Sequence, residues 1–422
     1  MKTKQPSFWR VMANKLMKPA SATLLLAALA DGGAGISASQ AATFGEDVSF
    51  LRQYTEVVVL SDRSGEALVA VAPAWQGRVM TSTAGGDKGA SHGWINRSLI
   101  ASRQWQPHIN VFGGEDRFWL GPEGGQFSIF FAKGAPFEFE HWFTPAPIDT
   151  QPFKLVSHSK TEARFAHSFP LTNYSGTTFQ VKVERRVRLL EAREAWKKMD
   201  LPELPGVKLV AFETENKITN AGREPWTKQT GLLSIWILGM FNPSPETTIV
   251  APIVAGDEAA LGPKVTSDYF GAVPPERLVA ADSVIYFKGD GKYRSKIGIG
   301  PRRSKGVLGS YDAASRVLTL AQYTQPPGVT DYVNSLWKLQ ENPFAGDVAN
   351  SYNDGPVSPG GKPLGPFYEL ESSSPAAALK AGKSLTHVHR TIHLSGSEED
   401  LNLIARVTLG VTLPEIKAAL PR

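Results

Sequence analysis

Two glutamates and three histidines near the C-terminus have the types and spacing of side chains that transfer protons. Glu369 and Glu371 are two residues apart in FYELES, and His387, His389 and His393 recur at even spacing in THVHRTIHL. If both segments are strands, alternation puts each set on one face of its strand. If these strands also pair with each other, carboxylates and imidazoles share one polar face, as proton transfer near neutral pH requires. We therefore predict Glu369 or Glu371 as a general base, His389 as a general acid and His387 as a substrate contact.

The same segment allows a second interpretation, a metal site. His387 and His389 could supply two nitrogen ligands, with Glu369 or Glu371 completing the set. This two-residue spacing is common by chance, so proton transfer is the preferred interpretation and no metal is expected. No phosphate-binding or dinucleotide fingerprint occurs in the sequence, and no other cofactor is expected either.

A second polar region interrupts an apolar stretch in VFGGEDRFWLGPEGGQFSIFF. Carboxylates, an arginine and a tryptophan lie here between glycines, which allow tight turns and close approach of the backbone. An indole face stacks on the C–H surface of a sugar while charged groups bind its hydroxyls, so Glu115, Arg117, Trp119 and Glu123 are predicted to bind substrate. The alternative is a bulged strand pair in which Arg117 pairs with Glu115 or Asp116 for structural reasons. On the functional interpretation, both polar regions meet in one cleft.

The N-terminus has the pattern of an export signal. Residues 1–41 combine a basic segment, the apolar run ATLLLAALA and small residues for cleavage. They hold five basic residues and one acidic residue, a balance of +4, so about +1 of the formal +5 remains for residues 42–422. The mature chain is therefore not expected to bind nucleic acid, and it has no run apolar enough to span a bilayer. We predict a bacterial periplasmic or secreted protein whose sequence, without cysteine, excludes disulfides.

Strand-like runs bounded by turn residues dominate the rest of the chain. They predict an all-β, mainly antiparallel fold, a large β-sandwich with few short helices, formed by residues 42–422 as one domain. Residues 232–241 are apolar at both parities and predict a strand buried on both faces. A helix should begin after Ser397, and a short one is expected over 413–420. The density of Gly, Pro, Asn and Asp over 342–366 predicts a long loop without regular structure.

Several strings of this sequence resemble a family of secreted bacterial proteins of unknown function that is associated with the galactose-mutarotase-like superfamily. They are SHGWIN, GGEDRFWLGPEGGQFSIFF, GLLSIWILGMFNPS and GPFYELESSSPAAALKAGKSLTHVHRTIHL, and the resemblance covers roughly residues 44–409. It implies a supersandwich of many antiparallel strands whose concave polar face binds carbohydrate.

The resemblance also implies a chemistry, in part. Aldose mutarotases of this fold use a histidine as acid and a glutamate from a late strand as base, which Glu369 or Glu371 matches. The histidine, often in Asn-Pro-His, has no match, because Asn242-Pro243 and Asn342-Pro343 are followed by other residues. The predicted function is a carbohydrate-active protein, as epimerase, mutarotase or lyase. A non-catalytic carbohydrate-binding protein and a structural envelope protein are the alternatives, and the oligomeric state stays open.

Overall fold

Runs of β-branched and aromatic residues, separated by turn residues, form eighteen strands in the computed structural model, which describes residues 42–356 and 360–421. The first six strands are β1 (Val58–Ser61), β2 (Leu68–Ala72), β3 (Arg78–Thr83), β4 (Arg117–Gly121), β5 (Lys154–His158) and β6 (Glu162–Thr172). The next six are β7 (Thr178–Leu189), β8 (Lys208–Asn220), β9 (Ser234–Phe241), β10 (Thr247–Pro252), β11 (Leu278–Ala280) and β12 (Val284–Lys288). The last six are β13 (Ser295–Ile299), β14 (Val307–Asp312), β15 (Val317–Tyr323), β16 (Ala349–Asn353), β17 (Tyr368–Ser373) and β18 (Ser384–Ser395).

The described helices are short. They are α1 (Phe44–Leu51), α2 (Arg97–Ser102), α3 (Ala192–Lys198), α4 (Glu258–Leu261), α5 (Glu398–Thr408) and α6 (Leu413–Ala418). The two C-terminal helices confirm the sequence prediction. The hydroxyl of Ser397 accepts a hydrogen bond from the backbone N–H of Asp400, which caps α5 as the spacing predicted. Across the described ranges, no helix is long and apolar enough to cross a membrane.

The strands form three antiparallel sheets. The largest has the order β11-β12-β10-β14-β15-β18-β8-β7-β6-β5, the second has the order β13-β16-β17-β9-β4, and β1-β2-β3 form the third. The ten-stranded and five-stranded sheets pack face to face, as the hydrogen bond between the hydroxyls of Ser310 in β14 and Tyr368 in β17 shows. The predicted all-β antiparallel sandwich with few short helices is thus confirmed. The predicted export signal over 1–41 lies outside the described residues.

Burial explains why the five-stranded sheet can hold a site. All eight residues of β9 are buried, which confirms the prediction of a strand covered on both faces. By contrast, β7 alternates buried and more exposed residues, as a strand with one solvated face does. The five-stranded sheet therefore has an inner face toward the ten-stranded sheet and an outer face covered by other segments of the chain.

The predicted pairing of the glutamate and histidine strands is wrong. Strand β17 pairs with β16 and β9, whereas β18 pairs with β15 and β8 in the other sheet. The connection between them does not turn back as a hairpin. It runs on beside β9, where the backbone N–H of Ala377 bonds to the carbonyl of Leu233, and buries Ala377 and Leu379 in the core. With these apolar residues buried, the connection runs from β17 in the five-stranded sheet to β18 in the ten-stranded sheet.

The predicted loop over 342–366 is also wrong in part, because β16 lies within it. Strand β16 pairs with β13 on one side and with β17 on the other, so its backbone groups are satisfied on both edges. Its sequence, ANSYN, has little strand propensity. Pairing on two sides and complete burial outweigh that local preference.

Candidate functional site

The register of the five-stranded sheet gathers polar and aromatic side chains on its outer face. Cross-strand partners point to the same side of a sheet, and the pairs Glu369–Tyr352, Glu371–Asn350 and Lys296–Tyr352 connect three neighbouring strands. Glu371 also faces Leu238, which in turn faces Arg117, and Trp236 faces Trp119. We call Arg117, Trp119, Trp236, Lys296, Glu369 and Glu371 the outer-face cluster.

An ion pair lies at the centre of the outer-face cluster. The Nζ of Lys296 and the Nε1 of Trp236 both donate to Oε2 of Glu371, each at 2.9 Å. The lysine also lies over the indole of Trp236, 4.8 Å from the ring centroid. Burial works to lower the pKa of Lys296, but the nearby carboxyl groups of Glu371 and Glu123 outweigh it, so the net shift is upward. Lys296 therefore remains a charged donor that holds one oxygen of Glu371.

Glu369 lies beside this pair in a different protonation state. Burial raises its pKa well above the usual range, and the neighbouring carboxyl group of Glu371 raises it further, against the opposing charges of Lys296 and Arg117. Two adjacent carboxyl groups cannot both ionise easily in a site that excludes water. Glu369 is therefore the protonated member and a potential proton donor, while Glu371 is paired with Lys296.

Glu123 approaches the ion pair from beyond the end of β4. Burial raises the pKa of its carboxyl group to about 7, although Lys296 and a hydrogen bond from Trp337 act to lower it. A carboxyl group that titrates near neutral pH is suited to accept a proton. Glu123, which the sequence predicted as a substrate contact, thus lies within electrostatic reach of Lys296 and Glu371.

Arg117 and Trp119 complete the deeper part of the cluster. The Nη2 of Arg117 donates to Oδ1 of Asp149 at 2.7 Å, and its guanidinium lies 4.4 Å from the ring centroid of Trp119. Trp119 packs edge-on against Trp236 with ring centroids 5.3 Å apart. Since β4, β9 and β17 are neighbours in one sheet, Arg117 and Glu371 are about 10 Å apart across two strand spacings. This agrees with the predicted meeting of the two polar regions.

Several buried polar atoms of this region have no hydrogen-bond partner among the described residues. They are Nε and Nη1 of Arg117, Nε1 of Trp119, Nε1 of Trp142 and Oε1 of Glu371. Buried donors and acceptors are nearly always satisfied in native proteins, because leaving one unpaired is costly. Donors and an acceptor gathered around a carboxyl pair indicate a place for a polar ligand.

Aromatic rings cover the cluster on its outer side. Trp142 stacks with Phe130 and with Trp337, and Phe130 lies against Trp119; we call Phe130, Trp142 and Trp337 the aromatic cover. Lys296, with a side chain 12% exposed, is the most accessible member of the ion pair, and Glu123 is also partly exposed. Solvent therefore reaches the cluster from the side of Lys296 and Glu123, while Arg117 lies deeper.

The histidines occupy the opposite side of β17, in the interior of the sandwich, which corrects the prediction that they share a face with the glutamates. The hydroxyl of Ser372 lies 2.8 Å from Nε2 of His387 and 2.8 Å from Nδ1 of His389. Burial lowers the pKa of His387 to about 3 and that of His389 to about 4. Both imidazoles are therefore neutral at working pH. Because Ser372 and Glu371 alternate along β17, the predicted acid, His389, and the glutamates point to opposite faces.

Glu115 lies in the same interior and not beside Arg117, contrary to the prediction for a substrate contact. Its Oε1 accepts from the backbone N–H of Ser82, and its Oε2 lies 2.8 Å from the Ser82 hydroxyl and 2.9 Å from Nε2 of His393. Glu115 precedes β4, which begins at Arg117, so the alternation of side chains along that strand does not extend to Glu115. The alternative prediction, in which Arg117 pairs with Glu115 or Asp116, is also wrong, because Arg117 bonds to Asp149 and Asp116 bonds to Arg185.

The hypothetical metal set is not assembled. His387 and His389 point into the sandwich and Glu369 and Glu371 point out of it, so the strand itself separates them. In residues 42–356 and 360–421, no three His, Asp or Glu side chains are arranged to hold a metal ion.

Residues 42–420 match the model of DUF6786, a family of unknown function. The chain belongs to this family. No curated protein matches it in sequence.

The solved structures to which the chain is similar include two bacterial proteins. A candidate aldose 1-epimerase from Escherichia coli K12 has 14% identity and a TM-score of 0.48, over 81% of this chain and 99% of that one. A galactose mutarotase-like protein from Lactobacillus casei has 9% identity and a TM-score of 0.46, over 80% and 100%. The predicted membership of a family of unknown function is thus confirmed by the match over residues 42–420.

Sequence reasoning missed two central residues of this family member's site, Lys296 and Trp236. Each had a local signal. Lys296 is a single cation in the otherwise apolar strand SKIGI, and Trp236 is the one residue with a polar hydrogen in the run IWILGMF. A charge in a strand that must be buried needs a partner. The position of that partner, Glu371, depends on the order of strands and could not be read from either segment.

Proposed function

We propose that the outer-face cluster, together with Glu123, is the active site of a carbohydrate-active enzyme that transfers protons to and from a sugar, at the ring oxygen and anomeric hydroxyl as a mutarotase does or at a carbon as an epimerase does. One observation carries the proposal. Two carboxyl groups with raised pKa values, those of Glu369 and Glu123, flank the Lys296–Glu371 ion pair under tryptophan rings. Paired carboxyl groups in different protonation states are the usual equipment of an acid and a base.

The proposed roles follow from the protonation states. Glu369 carries a proton and donates it to a ring or carbonyl oxygen of the sugar. Glu123, with a pKa of about 7, is ionised in a large fraction of molecules at neutral pH and accepts a proton, from the anomeric hydroxyl in mutarotation or from the reacting C–H group in epimerisation. Glu371 is held by Lys296 and Trp236 through Oε2, which leaves Oε1 to accept a hydrogen bond from protonated Glu369 or from a sugar hydroxyl.

Tryptophan rings supply the apolar contacts that a sugar needs. Trp119 and Trp236 belong to the outer-face cluster, and the aromatic cover lies opposite them. A pyranose presents C–H groups on its faces and hydroxyls at its edge, which fits rings beside charged groups. The unpaired atoms of the cluster are buried, so the aromatic cover has to shift when a sugar binds.

Non-catalytic carbohydrate binding is the second candidate, and the same burial favours it. The side chain of Glu371 is fully buried and Arg117 is 1% exposed, so a tightly closed cover would allow recognition but slow exchange of substrate and product. Export to the periplasm or exterior stays part of both proposals, because it depends on the pattern of residues 1–41. The prediction of one domain over 42–422 likewise stays a prediction.

The test separates catalysis from binding. Wild-type protein is screened for binding to mono- and oligosaccharides, and bound sugars are then followed by NMR for anomer exchange and for uptake of solvent deuterium at carbon. We expect Glu369→Gln and Glu123→Gln to lose turnover while sugar affinity changes little. Glu215→Gln, a half-exposed residue of the other sheet, is the control and should behave as wild type. Binding without exchange in the wild type would contradict catalysis and leave the binding protein.

A further inference from the structure

The charges in and beside the deep part of the site suggest which class of sugar it takes. Arg78, Arg117 and Arg185 are all buried and act on one another electrostatically. Arg117 donates a hydrogen bond to the carboxylate of Asp149, and Arg185 donates one to the carboxylate of Asp116. Arg78 donates instead to the carbonyl of Gly113 and to Gln76. Among the described hydrogen bonds, two of the three guanidinium groups are thus bonded to a carboxylate, and the third, that of Arg78, is not.

The carboxylate that serves Arg117 is also shared with other donors. Asp149 Oδ2 accepts from the side-chain amide of Asn110 at 2.7 Å, and Oδ1 accepts from its backbone N–H at 3.2 Å. Arg117 keeps two nitrogens, Nε and Nη1, without a partner in the described structure. A buried guanidinium that is only partly satisfied is costly, and an anion is its preferred partner.

Glu369 is the other carboxyl group that acts on the Arg117 charge. If Glu369 were ionised it would supply the missing negative charge, but a proton donor has to carry its proton. An anionic group from outside would neutralise Arg117 and leave Glu369 protonated. A negatively charged ligand is therefore compatible with the role of Glu369 as the acid, because the ligand's charge favours the protonated form of Glu369.

We propose that the ligand is an acidic sugar, a uronic acid or a uronate-containing oligosaccharide, whose carboxylate binds Arg117. This inference rests on the proposed carbohydrate site and specifies its substrate class. Arg117 and Glu371 lie about 10 Å apart on either side of Leu238, so a sugar acid bound over Leu238 reaches both groups when the aromatic cover shifts. A carboxylate neutralised by an arginine also acidifies the C–H bond beside it, which is the proton that an acid and base pair would move in epimerisation.

The experiment compares ligands that differ by one charge. Glucuronate, galacturonate and mannuronate, as mono- and trisaccharides, are titrated into the full wild-type chain by calorimetry, beside their methyl esters and the parent neutral sugars. We expect at least one acid to bind roughly 10- to 100-fold more tightly than its ester, the range of a charge-assisted hydrogen bond. Because the esters remove the charge from the ligand, this arm needs no variant that folds.

A variant arm locates the charge on the protein. Arg117→Gln should reduce the preference for acid over ester to about onefold. Arg303→Gln is the matched control, because Arg303 is equally buried but donates to the backbone carbonyls of Val254, Gly256 and Gly262. It should keep the preference. Equal binding of acid, ester and neutral sugar would overturn the acidic class and leave the carbohydrate site. Binding of no saccharide in the panel would overturn both proposals.

Discussion

The two faces of β17 carry two polar clusters with opposite character. On the outer face, Glu371 and Arg117 are each held through one atom and leave other polar atoms unpaired. In the interior, both oxygens of Glu115 and of Asp116 have partners, and Ser372 joins two neutral imidazoles. One interior atom differs, because Nε2 of His389 is buried without a hydrogen-bond partner among the described residues. The comparison teaches that polar residue types alone do not mark a site, whereas unsatisfied groups beside carboxyls of raised pKa do.

The largest expected effect separates two adjacent residues of β17. Glu371→Gln removes the partner of Lys296 and the neighbouring carboxyl group that helps to keep Glu369 protonated. It should therefore weaken the proposed acid and lower turnover by roughly 10²- to 10⁴-fold, the usual worth of positioned acid–base catalysis. Ser372→Ala removes the hydroxyl between His387 and His389 on the inner face. It should leave turnover per folded molecule nearly unchanged and lower the free energy of unfolding by about 1–3 kcal/mol. Equal losses of turnover in the two variants would contradict the division into two faces.

The interior histidines should make stability depend on acid. Their folded pKa values, about 3 and about 4, lie below the unfolded value of about 6.5, so the unfolded state binds more protons below that pH. Stability is therefore full above pH ~6.5 and falls toward pH 4, by up to ~1.4 kcal/mol per pH unit for each imidazole. Urea unfolding from pH 7.5 to 4.5 measures this slope. His389→Asn should make it shallower, and an unchanged slope would count against buried neutral imidazoles.

The outer face should show its own pH dependence, in turnover. If Glu123 is the base, turnover rises as pH passes its pKa of about 7 and then levels. Because Lys296 lowers that pKa, Lys296→Met should move the rising limb to higher pH. Glu123→Gln should abolish the limb together with most of the activity. A limb that stays in place in Lys296→Met would assign it to another group.

The smallest effect is expected at the rim of the outer face. The hydroxyl of Tyr269 bonds to Asp347 and accepts from the side-chain amide of Asn350 at 3.1 Å. Tyr269→Phe removes these bonds and should lower the free energy of unfolding by about 1 kcal/mol, with ligand affinity reduced only a few-fold. Tyr293→Phe, at a residue 40% exposed, is the matched control and should change neither quantity. A loss of affinity above tenfold for Tyr269→Phe would make this residue part of the binding site.

Local patterns predicted much of the fold and several residues of the candidate site. The strand runs, the buried strand β9, the Ser397 cap and the alternation of Glu369 with Glu371 all follow from spacings within one segment. Arg117, Trp119 and Glu123 were identified from composition, and they lie with the glutamates. Residue type and spacing also assigned Glu115 and the histidines to this cleft, but these residues lie in the interior of the sandwich.

The sequence by itself determined which residues share a face of a strand, because side-chain alternation is a property of the local backbone. It also determined the antiparallel β class, since strand runs and turn residues alternate throughout. Only the tertiary structure decided that β17 and β18 belong to different sheets, and so which polar face meets which. Strand order depends on the burial of apolar residues from distant segments, such as Ala377 and Leu379 against the core. The free energy of this burial is summed over the whole sandwich, and it outweighs the local preferences of β17 or β18.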